Sequence, residues 1–285
     1  MRYRAVHKTR YTYQEAVSQC LSEARLLPRS LPGQRVHETK LTVSPEPAVF
    51  ATRTDYFGNL VSAFSVFEPH DRLSVTATSV VEVAARAELL ELQATWEEAR
   101  AALACPPDEE TLAACEFACD SPFVEAGSEL AQFAQPTFTP CRPLLEAAQE
   151  LMHRIHTEFR YAPRSTEIDT PLAEVIRNRC GVCQDFAHLM IGALRSHGLA
   201  ARYVSGYLRS GTRYQGAEAS HAWVAVFVPG AGWVGFDPTN DVSPGEGHIT
   251  LAWGRDYADV TPLKGITLGG GDHTVEVEVR VTPEN

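Results

Sequence analysis

The chain has 285 residues, 44% hydrophobic and 21% charged, the composition of a globular protein with enough material for one large domain or two modest ones. Its formal net charge of −11, with no Lys/Arg-rich face to offset it, argues against a nucleic-acid partner. No stretch approaches the ~18 apolar residues of a membrane span, and the basic start Met-Arg-Tyr-Arg lacks an apolar signal region, so no membrane association and a cytoplasmic location are expected.

Residues 1–85 read as a β-rich N-terminal region. Residues 3–13, 37–43 and 73–83 carry aromatic and β-branched side chains in rough alternation. Asp55-Tyr56-Phe57-Gly58-Asn59 supplies turn chemistry between two strands, and the proline-containing pieces 27–33 and 44–47 read as loops. Residues 86–140 form a loosely helical connector. Helix-compatible runs at 85–92 and 95–103 are followed by the breaks Pro106-Pro107 and Ser121-Pro122.

Residues 141–285 mix helix and strand. Leu144, Leu145, Ala148, Leu151, Met152 and Ile155 make the apolar stripe of a helix over 141–160. Thr170-Pro171 opens another, with threonine as cap and proline in the first turn. A third runs from Cys183 to about Ser196, with Phe186, Leu189, Met190, Ala193 and Leu194 inward and His197-Gly198 closing it. Residues 201–208, 222–228, 233–237 and 274–281 read as strands, with 229–232 turning between the middle pair. A helix followed by an antiparallel meander predicts an α+β core with a C-terminal strand.

Cys183 stands where its helix begins, so the positive end of the helix dipole and the unpaired first-turn amides both stabilise a thiolate there. His221 heads the run His-Ala-Trp-Val-Ala-Val-Phe-Val and is the candidate base. Asp237 ends the next strand. If the two strands form a hairpin through residues 229–232, it lies close to His221 across the pair and can set the imidazole tautomer. A thiol, an imidazole and a carboxylate so arranged point to acyl transfer through a covalent intermediate. His188 is nearer to Cys183 in sequence, but five residues along a helix is roughly 140° around its axis, which assigns it to structure.

Seven cysteines cannot all pair internally, and free thiols are expected. Cys180 and Cys183 make a Cys-x-x-Cys pair, but they do not follow the first strand of a small βαβ unit as a redox pair would. The only second pair for zinc, Cys115 and Cys119, lacks knuckle glycines, so neither metal nor cofactor is expected. The Cys183 N–H is one natural oxyanion donor, with Gln184 and Tyr161 as candidates for the second. Trp223 and Trp233 are candidate substrate-binding walls.

Six segments together resemble the transglutaminase-like superfamily. They are Phe159-Arg160-Tyr161, Thr170-Pro171-Leu172, the stretch from Arg179 to His188, that from Gly198 to Tyr207, Ser220-His221-Ala222-Trp223, and that from Gly232 to Asn240, with residues 1–85 similar to the β-rich N-terminal region of bacterial members. The resemblance implies a papain-like transglutaminase core whose nucleophile helix packs on an antiparallel sheet. It implies Cys183 as nucleophile, His221 as base, Asp237 as orienting carboxylate, and a protein or peptide amide as substrate. No acidic cluster resembles the calcium sites of the animal enzymes. Two alternatives stand beside acyl transfer: a peptidase or amidase on the same triad, and a non-catalytic binding module retaining the fold.

Overall fold

A single strand of 23 residues organises the N-terminal half. In the computed structural model, which describes residues 1–85, 94–211 and 214–284, β1 (Arg2–Ala24) buries Tyr3, Ala5, His7 and Thr9 and exposes Arg2, Arg4 and Arg10. This is the two-residue period of a sheet with one face on a core and the other in water. With β2 (Gln34–Ser44), β3 (Val49–Thr54), β4 (Leu60–Val66) and β5 (His70–Val83) it forms an antiparallel sheet ordered β2-β5-β1-β4-β3. The Asp55 carboxylate accepts the N–H groups of Phe57 and Asn59, closing the turn expected there.

The connector is more firmly built than its sequence suggests. Its helix-compatible run at 85–92 falls almost wholly outside the described residues. Beyond it come α1 (Trp96–Ala104), α2 (Glu109–Ala114) and α3 (Ser128–Ala134). A capping box starts α1: Thr95 Oγ1 accepts from the Glu98 N–H, and the Glu98 carboxylate accepts from the Thr95 N–H. Ala99, Val124, Leu130, Phe133 and Phe138 from this region sit in the main core.

Next, α4 (Leu144–Glu158) buries the expected stripe, with Ala147 inside and Leu145 half-buried at its margin. β6 (Arg160–Tyr161) follows, then α5 (Leu172–Asn178), β7 (Cys180–Gly181) and α6 (Cys183–Arg195). The opening of α5 differs from expectation. Pro171 is the cap residue, and Thr170 Oγ1 accepts instead from the Glu167 N–H in the preceding turn. α6 is buried from Asp185 to Arg195 on all its faces, because α3, α4 and α5 cover what the sheet leaves open. Arg195 is tolerated inside because its guanidinium donates to Phe117 O, Ser121 Oγ, Ala201 O and Arg255 O.

The second sheet comprises β8 (Ala201–Leu208), β9 (His221–Val228), β10 (Gly232–Phe236) and β11 (His248–Gly254), in the antiparallel order β10-β9-β8-β11. Ala222, Val224 and Val226 join the core cluster that holds α6, whereas Trp223 and Ala225 pack on the other side with Val204 and Trp253.

After α7 (Tyr257–Val260) the chain leaves this sheet, which corrects the assignment of residues 141–285 to one core ending in its own strand. β12 (Leu263–Gly269) and β13 (His273–Pro283) both pair with β1, along the edge opposite β5 and β4. The physical reason is that this edge would otherwise present a long row of unpaired backbone groups. Among the described residues no helix is long and apolar enough to cross a membrane.

Candidate active site

Local sequence places Cys183 first. The short parallel pair β6–β7 sets Tyr161 against Gly181, two residues before the helix. The Asp185 carboxylate then turns back to accept the Val182 N–H at 2.7 Å and the Thr166 hydroxyl at 2.6 Å, capping α6. Gly181 is required here, because a Cβ on it would lie 2.7 Å from Asp185 Oδ2. Cys183 is therefore the first helical residue, half-buried, and its own N–H and that of Gln184 have no partner among the described residues. Free amides and the helix dipole converge on the sulfur.

The hairpin supplies the other two groups. Phe236 pairs with Val224, so one step further Asp237 lies opposite Trp223 and diagonal to His221 on the same face. His221 Nε2–H donates to Asp237 Oδ2 at 2.9 Å, and both side chains are fully buried. Nδ1 is left without a completed hydrogen bond, and the Cys183 thiol is the group that supports a proton there. Burial opposes the imidazolium, but the Asp237 charge and hydrogen bond, with the thiol's contribution, outweigh it and push His221 up to about 10. For Asp237 burial likewise opposes the charge, and His221 and His248 outweigh it and hold the carboxyl well below the usual range.

Five donors meet that carboxylate. Besides His221 they are His248 Nε2 at 3.2 Å, the N–H groups of Thr239 and Asn240, and the Asn240 side-chain amide at 2.9 Å. The Gly245 N–H donates to His248 Nδ1 at 3.5 Å, which places the His248 proton on the nitrogen facing Asp237. Asn240 also exchanges hydrogen bonds with the Gln215 backbone and so straps the neighbouring loop down. Gly216 follows directly, with φ +84°, and a Cβ there would lie 2.8 Å from His221 Nδ1. Only glycine leaves that nitrogen open.

Three phenols stand around the thiol. Burial pushes Tyr161 up to about 12, with the Cys183 and Asp237 charges adding to it, so it stays a neutral hydroxyl donor. Tyr203 and Tyr257 are raised for the same first reason, and each senses the Cys183 charge. Tyr257 also senses Tyr11 of β1.

The structure thus brings together Cys183, His221, Asp237 and Tyr161, and leaves three expected candidates elsewhere. Gln184 donates its Nε2–H to Ile168 O at 3.0 Å, tying down the loop before α5 rather than facing the thiol. Trp223 is no substrate wall: it is 3% exposed, stacked beside His221 and edge-on to His248. Trp233 lies four residues from Asp237 along β10, packed against Phe117 and Phe227 under the Arg202 guanidinium. His188 accepts the Tyr257 N–H under the ring of Phe123, and burial, then Arg195, pushes it down to about 3, which fits the structural role expected of it.

His248, Asn240, Gly216 and Tyr257 were missed. Asn240 alone left a signal, as the last residue of Asp-Pro-Thr-Asn, whose short side chain suits turns and local bonds back to a carboxylate.

Residues 3–82 match the family model for the bacterial transglutaminase-like N-terminal region, and residues 131–238 match that for the transglutaminase-like superfamily. The chain belongs to the transglutaminase-like superfamily. This is a cysteine-dependent enzyme family, and the fold is its papain-like one. An uncharacterized protein of Mycobacterium tuberculosis (strain ATCC 25618 / H37Rv) is 40% identical over 99% of this chain and 93% of its own. One of Mycobacterium leprae (strain TN) is 36% identical over 99% and 98%. A protein-glutamine gamma-glutamyltransferase of Pseudomonas aeruginosa is 33% identical over 104 residues, 31% of this chain and 14% of that protein. Among solved structures, a "putative cysteine protease" from Cytophaga hutchinsonii superposes with a TM-score of 0.79 at 20% identity, covering 99% of this chain and 90% of the other.

Proposed function

We propose that the protein is a cysteine-dependent acyltransferase that takes the acyl group of a protein or peptide amide as a thioester and passes it to an amine or to water. The observation that carries this reading is the buried His221–Asp237 pair whose remaining nitrogen is left open on the side of a helix-capped thiol. Raised to about 10, His221 is charged at neutral pH, and a neighbouring imidazolium stabilises the Cys183 thiolate.

The thiolate sulfur attacks the amide carbonyl, and the developing oxyanion meets the Cys183 N–H and the Tyr161 hydroxyl. His221 gives its Nδ1 proton to the leaving nitrogen, the C–N bond breaks, and a thioester remains. An incoming amine or water then loses a proton to Nδ1 as it attacks. The sulfur departs as thiolate, and the imidazolium is restored. Assistance of this kind is worth about 10²–10⁴-fold. The Pseudomonas relative's name, which specifies glutamine γ-glutamyl transfer, supports an amine as acceptor.

Hydrolysis is the second reading, favoured by a cleft of about 840 Å³ that reaches Tyr161 and Gly216 and can admit water to the thioester. The test follows ammonia release from a glutamine-containing polypeptide with and without a labelled primary amine. Transfer predicts label incorporation in proportion to ammonia, and hydrolysis predicts ammonia alone. Cys183→Ala should reduce either by at least ~10³-fold. Undiminished activity in the folded variant would sink both readings. Reaction with iodoacetamide at the rate of an ordinary thiol would favour a binding module instead.

A further inference from the structure

The 840 Å³ cleft is lined by Tyr161 and Gly216, the latter beside His221 Nδ1, and by β13 from Val277 to Arg280. β13 pairs with β1 along one edge only, through residues 273–283. On its outer edge the chain's own loop adds two contacts in the manner of a further strand. The Val279 N–H donates to Glu218 O at 3.0 Å, and at Val281 the backbone exchanges hydrogen bonds with Ser210.

Strand periodicity makes the N–H and C=O groups of Val275 and Val277 point the same way as those of Val279 and Val281. They have no backbone partner among the described residues, and the two side chains are 47% and 45% exposed. The loop that pairs with positions 279 and 281 is also the loop whose Gly216 lies over His221. The unpaired part of the edge therefore continues a line of pairing whose existing partner is the loop beside His221.

Resting on the acyl-transfer reading above, we infer that the outer edge of β13 at Val275–Val277 is a docking strand for an extended segment of the polypeptide that carries the acyl-donor amide. The added segment lies about 4.8 Å from β13, and its alternate side chains project on the inner face that Val277 shares with buried Thr9. Main-chain pairing gives affinity without sequence preference, and the position of the amide along the segment selects the residue that reacts. The occupant is an extended segment with one unpaired edge, because a helix or a strand paired on both edges has no free backbone groups to offer.

The test uses fluorescently labelled, reduced and carboxymethylated casein and full-length protein carrying Cys183→Ser, with binding followed by anisotropy. Casein should bind and should protect the Val275 and Val277 amides from hydrogen exchange. Val277→Pro and Val275→Pro each remove one donor at an edge position where proline is tolerated, and should weaken binding roughly three- to tenfold. Val277→Thr keeps the N–H and the branched shape, and should bind casein like the parent. Absent binding overturns the inference, as does exchange at both amides that casein leaves unaltered, or proline variants that match Val277→Thr. If either proline variant fails to fold, the exchange result on the parent decides. Turnover by the Cys183 protein is measured separately, so loss of the enzymatic reading and loss of the docking strand give different results.

Discussion

The two sheets of this protein differ in what they bury. In the four-stranded sheet every residue of β9 is buried, with α6 on one side and the Trp223 layer on the other. In the seven-stranded sheet β1 alternates, and all six residues of β3 are exposed. The difference teaches where chemistry can be placed. At the end of β9 water is excluded, so one carboxylate held by five donors can keep an imidazole charged well above its usual range. On the wet sheet the same groups would be screened. That sheet serves instead as a wall, lining the cleft with the edge of β13.

The sharpest way to break this comparison is Asp237→Asn. It removes the charge that overcomes burial at His221, so kcat should fall by roughly 10³-fold. The sign at His221 is that of a raised group: its contribution to stability is complete below about 6.5, the usual value, and is lost as pH rises through about 10. The alkaline limb of kcat/KM should lie near 10 in the parent and move to lower pH in the variant. A limb that stays in place would show that Asp237 does not control the imidazole.

A stability pair contrasts the two sheets directly. Leu189→Ala in α6 leaves a cavity under the buried sheet and should cost about 2–5 kcal/mol by chemical denaturation. Thr52→Ala on exposed β3 should stay within about 0.5 kcal/mol. Equal losses would mean that both sheets carry the core alike. The smallest kinetic effect is expected from His248→Ala. Asp237 keeps four donors, so kcat should fall roughly tenfold with KM unchanged.

The residues legible in the sequence are those whose surroundings are local. Cys183 is set by its own helix start, and His221 and Asp237 by one hairpin joined through the three residues 229–231. His248 and Tyr257 come from the segment after that hairpin, and nothing in their spacing indicates that folding returns them to Asp237 and the thiol. Trp223 was misread for a related reason. An aromatic beside a histidine looks like a substrate wall until Arg202 and Arg29 are found stacked on Trp253 in the layer beside it. The pairing of β12 and β13 with β1 was illegible for the same cause, since alternation marks a strand but does not name its partner.

Because Tyr3 pairs with Pro283, β1 waits during synthesis for a strand made much later in the chain. At 5–20 residues per second, β1 exists for roughly 13–50 s before residues 263–283 emerge to cover its second edge. The β13 wall of the cleft is thus made after the segments that carry Cys183, His221 and Asp237. On the docking reading, a nascent chain that has already made Cys183, His221 and Asp237 still lacks the strand that would deliver a polypeptide to them, so delivery is the later acquisition of the two.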